Sequence, residues 1–248
     1  MTAPDLDLLP GVPEDYVRGR LSKAGGKELK SGKFFSEQSS AALAANAFAW
    51  FHQRPASLPP LPGTEALGWP ALRVEIEYCA RFPWRGGSHP WLDAFVETDR
   101  CILGIESKRH EPFRDYHQVN LSSAYDRPVW GISMGPFESL RDSLRSRQTR
   151  FNHLDAAQLL KHAFGLVTEA NRQGKSAILV YLYAEPSCWA KDAIARHRQE
   201  IDEFARIVGG AAVHFISVRW REWLDDWTRL GNDQLDAHAQ QLIARFQL

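Results

Sequence analysis

Cysteine is scarce in this chain. Cys79, Cys101 and Cys188 stand far apart and never as C-x-x-C, which argues against a disulfide framework and against a zinc ribbon. Long apolar runs are missing as well. The longest, Ala41 to Phe51 with Asn46 interrupting it and Ala177 to Ala184, fall far short of the roughly 20 residues that cross a bilayer. Met1 to Pro10 is acidic, with no basic stretch leading into an apolar one, so no secretory signal is read there. A cytoplasmic protein without a membrane partner is expected. Neither sign of charge is in excess, because 30 Lys and Arg balance 30 Asp and Glu. A nucleic-acid partner would therefore need a local basic face, since no global field steers it.

What is present suffices for one compact domain with its own core, even without a staple. Residues 18 to 33 carry Arg18, Arg20, Lys23, Lys27, Lys30 and Lys33 against Glu28 alone. Residues 1–33 are accordingly expected to form a basic N-terminal arm ahead of a domain at 34–248. Ser36 offers a cap for an alanine-rich helix over Glu37 to Phe51. Five prolines between 52 and 70 make that stretch a connector. From Leu72 to Ala80, Leu72, Val74, Ile76 and Tyr78 alternate with polar residues, the period of a half-buried strand. Trp91 to Glu97 and Cys101 to Lys108 read as a hairpin across a short polar turn. A long polar segment, Arg109 to Thr149, precedes a helix expected over Asn152 to Gln173 and stopped by Gly174. Ser176 to Ala184 is a strand covered on both faces. Ala190 to Val208 reads as a helix, Ala212 to Arg219 as a strand, and Trp223 to Leu248 as one or two further helices. That order predicts an α/β protein whose mixed central sheet carries helices on both faces.

The chemistry concentrates in the hairpin. A two-residue turn at Asp99 and Arg100 sets Thr98 opposite Cys101 and Asp93 opposite Glu106. Opposed positions hold their Cβ atoms about 4.5 to 5.5 Å apart, and Lys108 projects from the same face as Glu106. Leu92, Ala94 and Val96 with Leu103, Ile105 and Ser107 would form the packing face. Asp93 and Glu97 with Glu106 and Lys108 would form the other. Two acids and an ammonium in such a place are costly unless they serve a metal or one another. Mg2+ suits these ligands, since it takes carboxylate oxygens and keeps several waters. Such an ion acidifies a bound water, and a lysine stabilises charge on a phosphoryl oxygen or orients the attacking water. Hydrolysis of a phosphodiester is the reaction expected.

Asp93, twelve intervening residues and then Glu106-Ser107-Lys108 inside GIESK resemble the PD-(D/E)XK nuclease signature. The order of helix, three strands, helix and strand (αβββαβ) resembles the restriction-endonuclease-like core. The stretches SEQSSAALAANA, WLDAFVETD and ILGIESKRHEPF are similar to a bacterial group of restriction-endonuclease-like proteins, over about residues 34 to 220. The resemblance implies an endodeoxyribonuclease acting on DNA with Mg2+, for which Mn2+ can substitute. It implies Asp93 and Glu106 as metal ligands and Lys108 as the residue assisting the nucleophile. Glu77 or Glu37 would supply a third acid, and Gln158 would match a polar position on the following helix. Leu92 stands where the literal motif has proline. A homodimer is compatible with this reading.

Other signals compete. Glu28-Leu29-Lys30 repeats the tripeptide without a strand or partner acid and reads as surface. Gly131-Ile132-Ser133-Met134-Gly135 matches the nucleophile elbow of serine hydrolases, with Asp155, His214 or His238 as partners, although no parallel strand precedes it. Gly26 and Gly32 are wrongly spaced for a phosphate loop, and Phe34 stands where a metal-binding hydroxyl is needed. His110, His117, His153 and His162 show no metal-ligand spacing and read as surface or supporting residues. The tryptophans read as core. A binding module of the same fold without catalysis is the remaining alternative. In either case Arg141, Arg145 and Arg147, in the long segment after the motif, are the expected DNA contacts.

Overall fold

In the computed structural model, which describes residues 5–25, 28–114 and 118–248, Thr98 closes the expected hairpin. Its Oγ1 accepts from Cys101 N at 3.1 Å and donates to Leu67 O at 2.6 Å. The strands it joins are β2 (Trp91–Glu97) and β3 (Cys101–Lys108), paired Ala94 to Ile105, Phe95 to Gly104 and Val96 to Leu103. This is the register expected from the short turn. With β1 (Arg73–Cys79), β4 (Ser176–Tyr183) and β5 (Val213–Arg219) they form one sheet in sequential order. Pairing is antiparallel from β1 to β3 and parallel from β3 to β5, so the sheet is mixed as expected.

The helices are α1 (Glu14–Lys23), α2 (Glu28–Ser31), α3 (Ser40–Ala49), α4 (Glu111–Arg114), α5 (Gly135–Arg145), α6 (Ala156–Gln173), α7 (Lys191–Ile207), α8 (Trp220–Thr228) and α9 (Asp233–Phe246). One face of the sheet buries Val74, Ala94, Leu103 and Val180 beneath α3, α8 and α9. The other buries Phe95, Ile102, Leu179 and Phe215 beneath α5, α6 and α7. The fold is thus the α/β arrangement expected, a mixed central sheet with helices on both faces. Leu6, Val12, Val17 and Leu21 belong to the first of these cores, so the described part of residues 1–33 packs on the domain. Trp130, Trp220, Trp223 and Trp227 are fully buried, the packing role expected of them.

Helix ends follow local chemistry. Ser39, three residues later than the expected cap, accepts from Ala42 N at 3.0 Å and starts α3. Asp155 accepts from Gln158 N at 2.8 Å at the start of α6, and Gly174, with φ 64°, ends it. α5 lies inside the stretch read as a long polar segment. Phe137, Leu140 and Leu144 give it a narrow buried stripe among arginines and serines.

Strict alternation fails at one point. Glu77 has φ 46°, a left-handed conformation that costs a residue with a Cβ about 1 to 2 kcal/mol. The β1–β2 ladder pairs Ile76 with Ala94 and Tyr78 with Leu92, skipping Glu77 and Asp93 between them. Ile76 and Ala94 pack under α3, whereas Leu92 joins the opposite core and Tyr78 stacks on Phe95 at 4.0 Å. The grouping of Tyr78 with Val74 and Ile76, and of Leu92 with Ala94, is therefore corrected. The backbone turns over at Glu77, and the side chains beyond it change faces.

Candidate active site

Two glycines bring α6 against this irregular end of the sheet. A Cβ on Gly104 of β3 would lie 2.7 Å from both Leu166 methyls, and one on Gly165 of α6 would lie 2.8 Å from Ala80 Cβ and 2.9 Å from Ala80 O. The close approach sets Gln158, Lys161 and His162 beside the ends of β2 and β3. Together with Glu28 and Lys33 they surround a cleft of about 590 Å3 that also contains Glu77, Asp93, Glu106, Lys108 and Glu111.

Glu106 is only 1% exposed; its Oε1 accepts a hydrogen bond, whereas the buried Oε2 accepts none among the described residues. Lys108 Nζ donates to Oε1, and His162 Nε2 lies 2.8 Å from Oε2. Asp93 Oδ2 accepts from Ser107 N at 2.7 Å, which ties the first acid of the motif to the backbone between the second acid and the lysine. Glu111 accepts from Ser40 Oγ at 2.6 Å, Arg109 N at 2.9 Å and His110 N at 3.0 Å.

These groups differ sharply in charge. Burial opposes ionisation of Glu106, but Lys108 and His162 outweigh it and hold its carboxyl down at about 2. Burial likewise opposes the Lys108 ammonium, and Glu106, Asp93 and Glu111 more than compensate, so its pKa lies above the ordinary lysine value. Asp93 has no such surplus. Burial and the Glu106 charge push its carboxyl well above the usual range against the pull of Lys108. Burial, with Glu28 and Glu106 adding to it, lifts Glu77 to about 7. Burial also pulls the Lys161 ammonium down.

The cleft thus gathers more acid than its own cations neutralise. Asp93 and Glu77 are the groups left pressed toward the neutral form, and both offer hard oxygen ligands. That donor set fits a divalent, oxygen-seeking cation such as Mg2+. Among the described residues no three His, Cys, Asp or Glu side chains already form a cage for an ion. Two carboxylates with waters completing the shell is the coordination style Mg2+ accepts.

The structure brings together Asp93, Glu106, Lys108, Glu77 and Gln158 as the sequence suggested. Glu37 is exposed, outside the lining of the cleft, and its carbonyl oxygen accepts from Arg109. Arg141 is buried, donating to Tyr125 O at 2.7 Å and to Asp142. Arg145 is bound to Asp126 and Ser122 O. These two arginines therefore hold the loop before α5. Glu28, read as surface, lines the cleft instead, because α2 folds back against it. His162, read as surface or supporting, is buried against Glu106. It follows Gln158 by four residues and so shares its helix face. Glu111 was missed, although it begins a helical turn three residues after Lys108. His110 accepts from Trp189 Nε1 at 3.0 Å, and His153 Nδ1 donates to Pro112 O at 2.8 Å. Lys27, Gly26 and His117 lie outside the described residues. Ser133 occupies an exposed 3-10 turn that leads into α5, with no strand between β3 and it among the described residues, so the strand-to-helix elbow of a serine hydrolase is not formed at Ser133.

No curated protein and no solved structure matches the chain. The family described as Restriction Endonuclease associating with ARP matches residues 4–247, nearly the whole length. With the mixed sheet and flanking helices already described, this match shows a restriction-endonuclease-like protein, and the chain belongs to that family.

Proposed function

We propose that this chain is a Mg2+-dependent endodeoxyribonuclease, and that Asp93, Glu106 and Lys108 carry the reaction. One observation supports this above the others: two acids on facing strands meet a lysine bonded to one of them, in a cleft with an excess of carboxylates. Asp93 and Glu106 would hold the ion, with Mn2+ able to replace Mg2+. When bound, the ion would acidify a water and neutralise charge on the phosphoryl group.

The remaining work falls to side chains. Ser107 N fixes the Asp93 carboxylate, and His162 Nε2 lies 2.8 Å from the far oxygen of Glu106 without a hydrogen bond to it, leaving that oxygen open to the ion. Lys108 donates one hydrogen to Glu106, and an ammonium has two more with which to orient the attacking water and meet developing negative charge. The water oxygen bonds to phosphorus, in line with the ester oxygen that leaves. Gln158 and Lys161, on the wall formed by α6, would contact the bound strand. The family description also records association with a partner, ARP, and we extend that association to this chain.

Plasmid and short-duplex DNA incubated with Mg2+ or Mn2+ tests the reading, with EDTA and Asp93→Asn as controls. Metal-dependent cutting that disappears in Asp93→Asn is the expected result. Cutting retained by Asp93→Asn, or in EDTA, would overturn the site.

A further inference from the structure

A second cavity, of about 650 Å3, lies between the end of α5 and the start of α6, walled by Gln118, Leu144, Arg147, Arg150 and Phe151. Asp155 lines both this cavity and the catalytic cleft, so the two are neighbours. The arginines around it are not equivalent. Arg145 also lines it, but its guanidinium is engaged by Asp126, Leu121 O at 3.2 Å and Ser122 O at 2.6 Å. Arg147 and Arg150 are exposed, and neither side chain forms an ion pair or hydrogen bond among the described residues. Among the described lining residues the one acid, Asp155, directs Oδ1 to Gln158 N at 2.8 Å, and the Glu200 carboxylate behind the wall accepts from Asn152 N at 2.8 Å and Leu154 N at 2.9 Å.

Arg147 is also held in an unfavourable backbone conformation. It follows the C-cap of α5 with φ 60°, and its N donates to Leu144 O at 3.2 Å while Gln148 N donates to Ser143 O at 3.0 Å. Glycine is the usual occupant of such a position. A long cationic side chain stands there against local preference, and strained residues of this kind cluster at binding sites.

We propose that this cavity seats a backbone phosphate of the DNA flanking the scissile position, held by Arg147 and Arg150. The choice of DNA rests on the nuclease reading above. Two guanidiniums without protein partners among the described residues, lining a hollow beside the cleft, match a phosphate in charge and donor geometry.

The strained backbone supplies a clean test. Arg147→Gly removes the cation and relieves the left-handed residue together, so it is expected to melt no lower than wild type. Binding of a short fluorescein-labelled DNA duplex, followed by anisotropy in EDTA, should weaken about tenfold in Arg147→Gly and again in Arg150→Ala. In the double variant the slope of log affinity against log salt should fall by about 1, the share of the one phosphate no longer neutralised. Arg196→Ala on α7, where Arg196 pairs with Asp192, should bind within twofold of wild type. A double variant that binds like wild type with an unchanged salt slope overturns the proposal, as does a wild type that binds no duplex. Cutting by the wild type with unchanged binding in the double variant would sink this inference and leave the nuclease reading intact. Weakened binding in the double variant with no cutting by the wild type would do the reverse.

Discussion

The two ends of the β2–β3 hairpin are built from one ladder and serve opposite ends. At the turn, Val96 faces Leu103, Thr98 Oγ1 accepts from Cys101 N, and no residue is left-handed. At the open end, Asp93, Glu106 and Lys108 meet beside Glu77, the one left-handed residue in the sheet. Apolar pairs hold the strands together where nothing reacts. Strain and unbalanced charge gather where the chemistry is proposed to occur, a division expected of functional sites.

The contrast should break most visibly at the open end. Asp93→Asn is expected to lower cleavage by on the order of a thousandfold, about 4 kcal/mol of barrier, while its urea midpoint stays at or above that of wild type. The reason is that Asn replaces a carboxyl already disfavoured by burial and by Glu106. Lys108→Ala should behave differently, losing about 3 to 5 kcal/mol of stability because it strands the buried Glu106 charge with His162 alone. Removing both partners in Glu106→Gln/Lys108→Met should restore most of that loss. A Lys108→Ala protein as stable as wild type would show that this ion pair does not hold the site.

At the turn end the expectation reverses. Leu103→Ala should cost about 2 to 5 kcal/mol in urea unfolding, while the folded fraction keeps a kcat within twofold of wild type. A selective loss of kcat would erase the distinction between the two ends.

Away from both ends, acid should act through the core under α3. His238 donates from Nε2 to Asn46 O at 3.1 Å and stacks on Trp50 at 4.7 Å. Burial holds its pKa down at about 4. The unfolded chain takes up this proton near pH 6.5 and the folded chain only near 4. Stability from this group is therefore full above pH 6.5 and declines as pH falls to 4, by about 3 kcal/mol in all. Urea unfolding at pH 7 and pH 4.5 should show the loss in wild type and a smaller one in His238→Gln. An equal loss in both would assign acid sensitivity elsewhere.

The hairpin, its register and α6 were legible because their signals are local: a two-residue polar turn, alternation, and a helix stopped by glycine. Asp93, Glu106 and Lys108 could be brought together on those signals alone, whereas Gln158 was placed with them only by the family resemblance. The turnover at Glu77 could not, since no residue type there announces a left-handed backbone. Nor could the placement of Glu28, which depends on how α2 folds back. Arg141 and Arg145 illustrate the same limit from the other side. Their identity suggests a partner outside the chain, but carboxylates and carbonyls inside it reach them first.

The close seating of α6 on Gly104 and Gly165 makes the cleft a vice with one fixed jaw. A helix lodged where two side chains are missing has a single seat, so His162, Gln158 and Lys161 keep their spacing from the strands. Under the proposed function, adjustment to a strand of DNA would then fall to the opposite jaw, where Glu28 sits on a four-residue helix and Lys33 on a single 3-10 turn. Width and grip are thereby assigned to different parts of the chain.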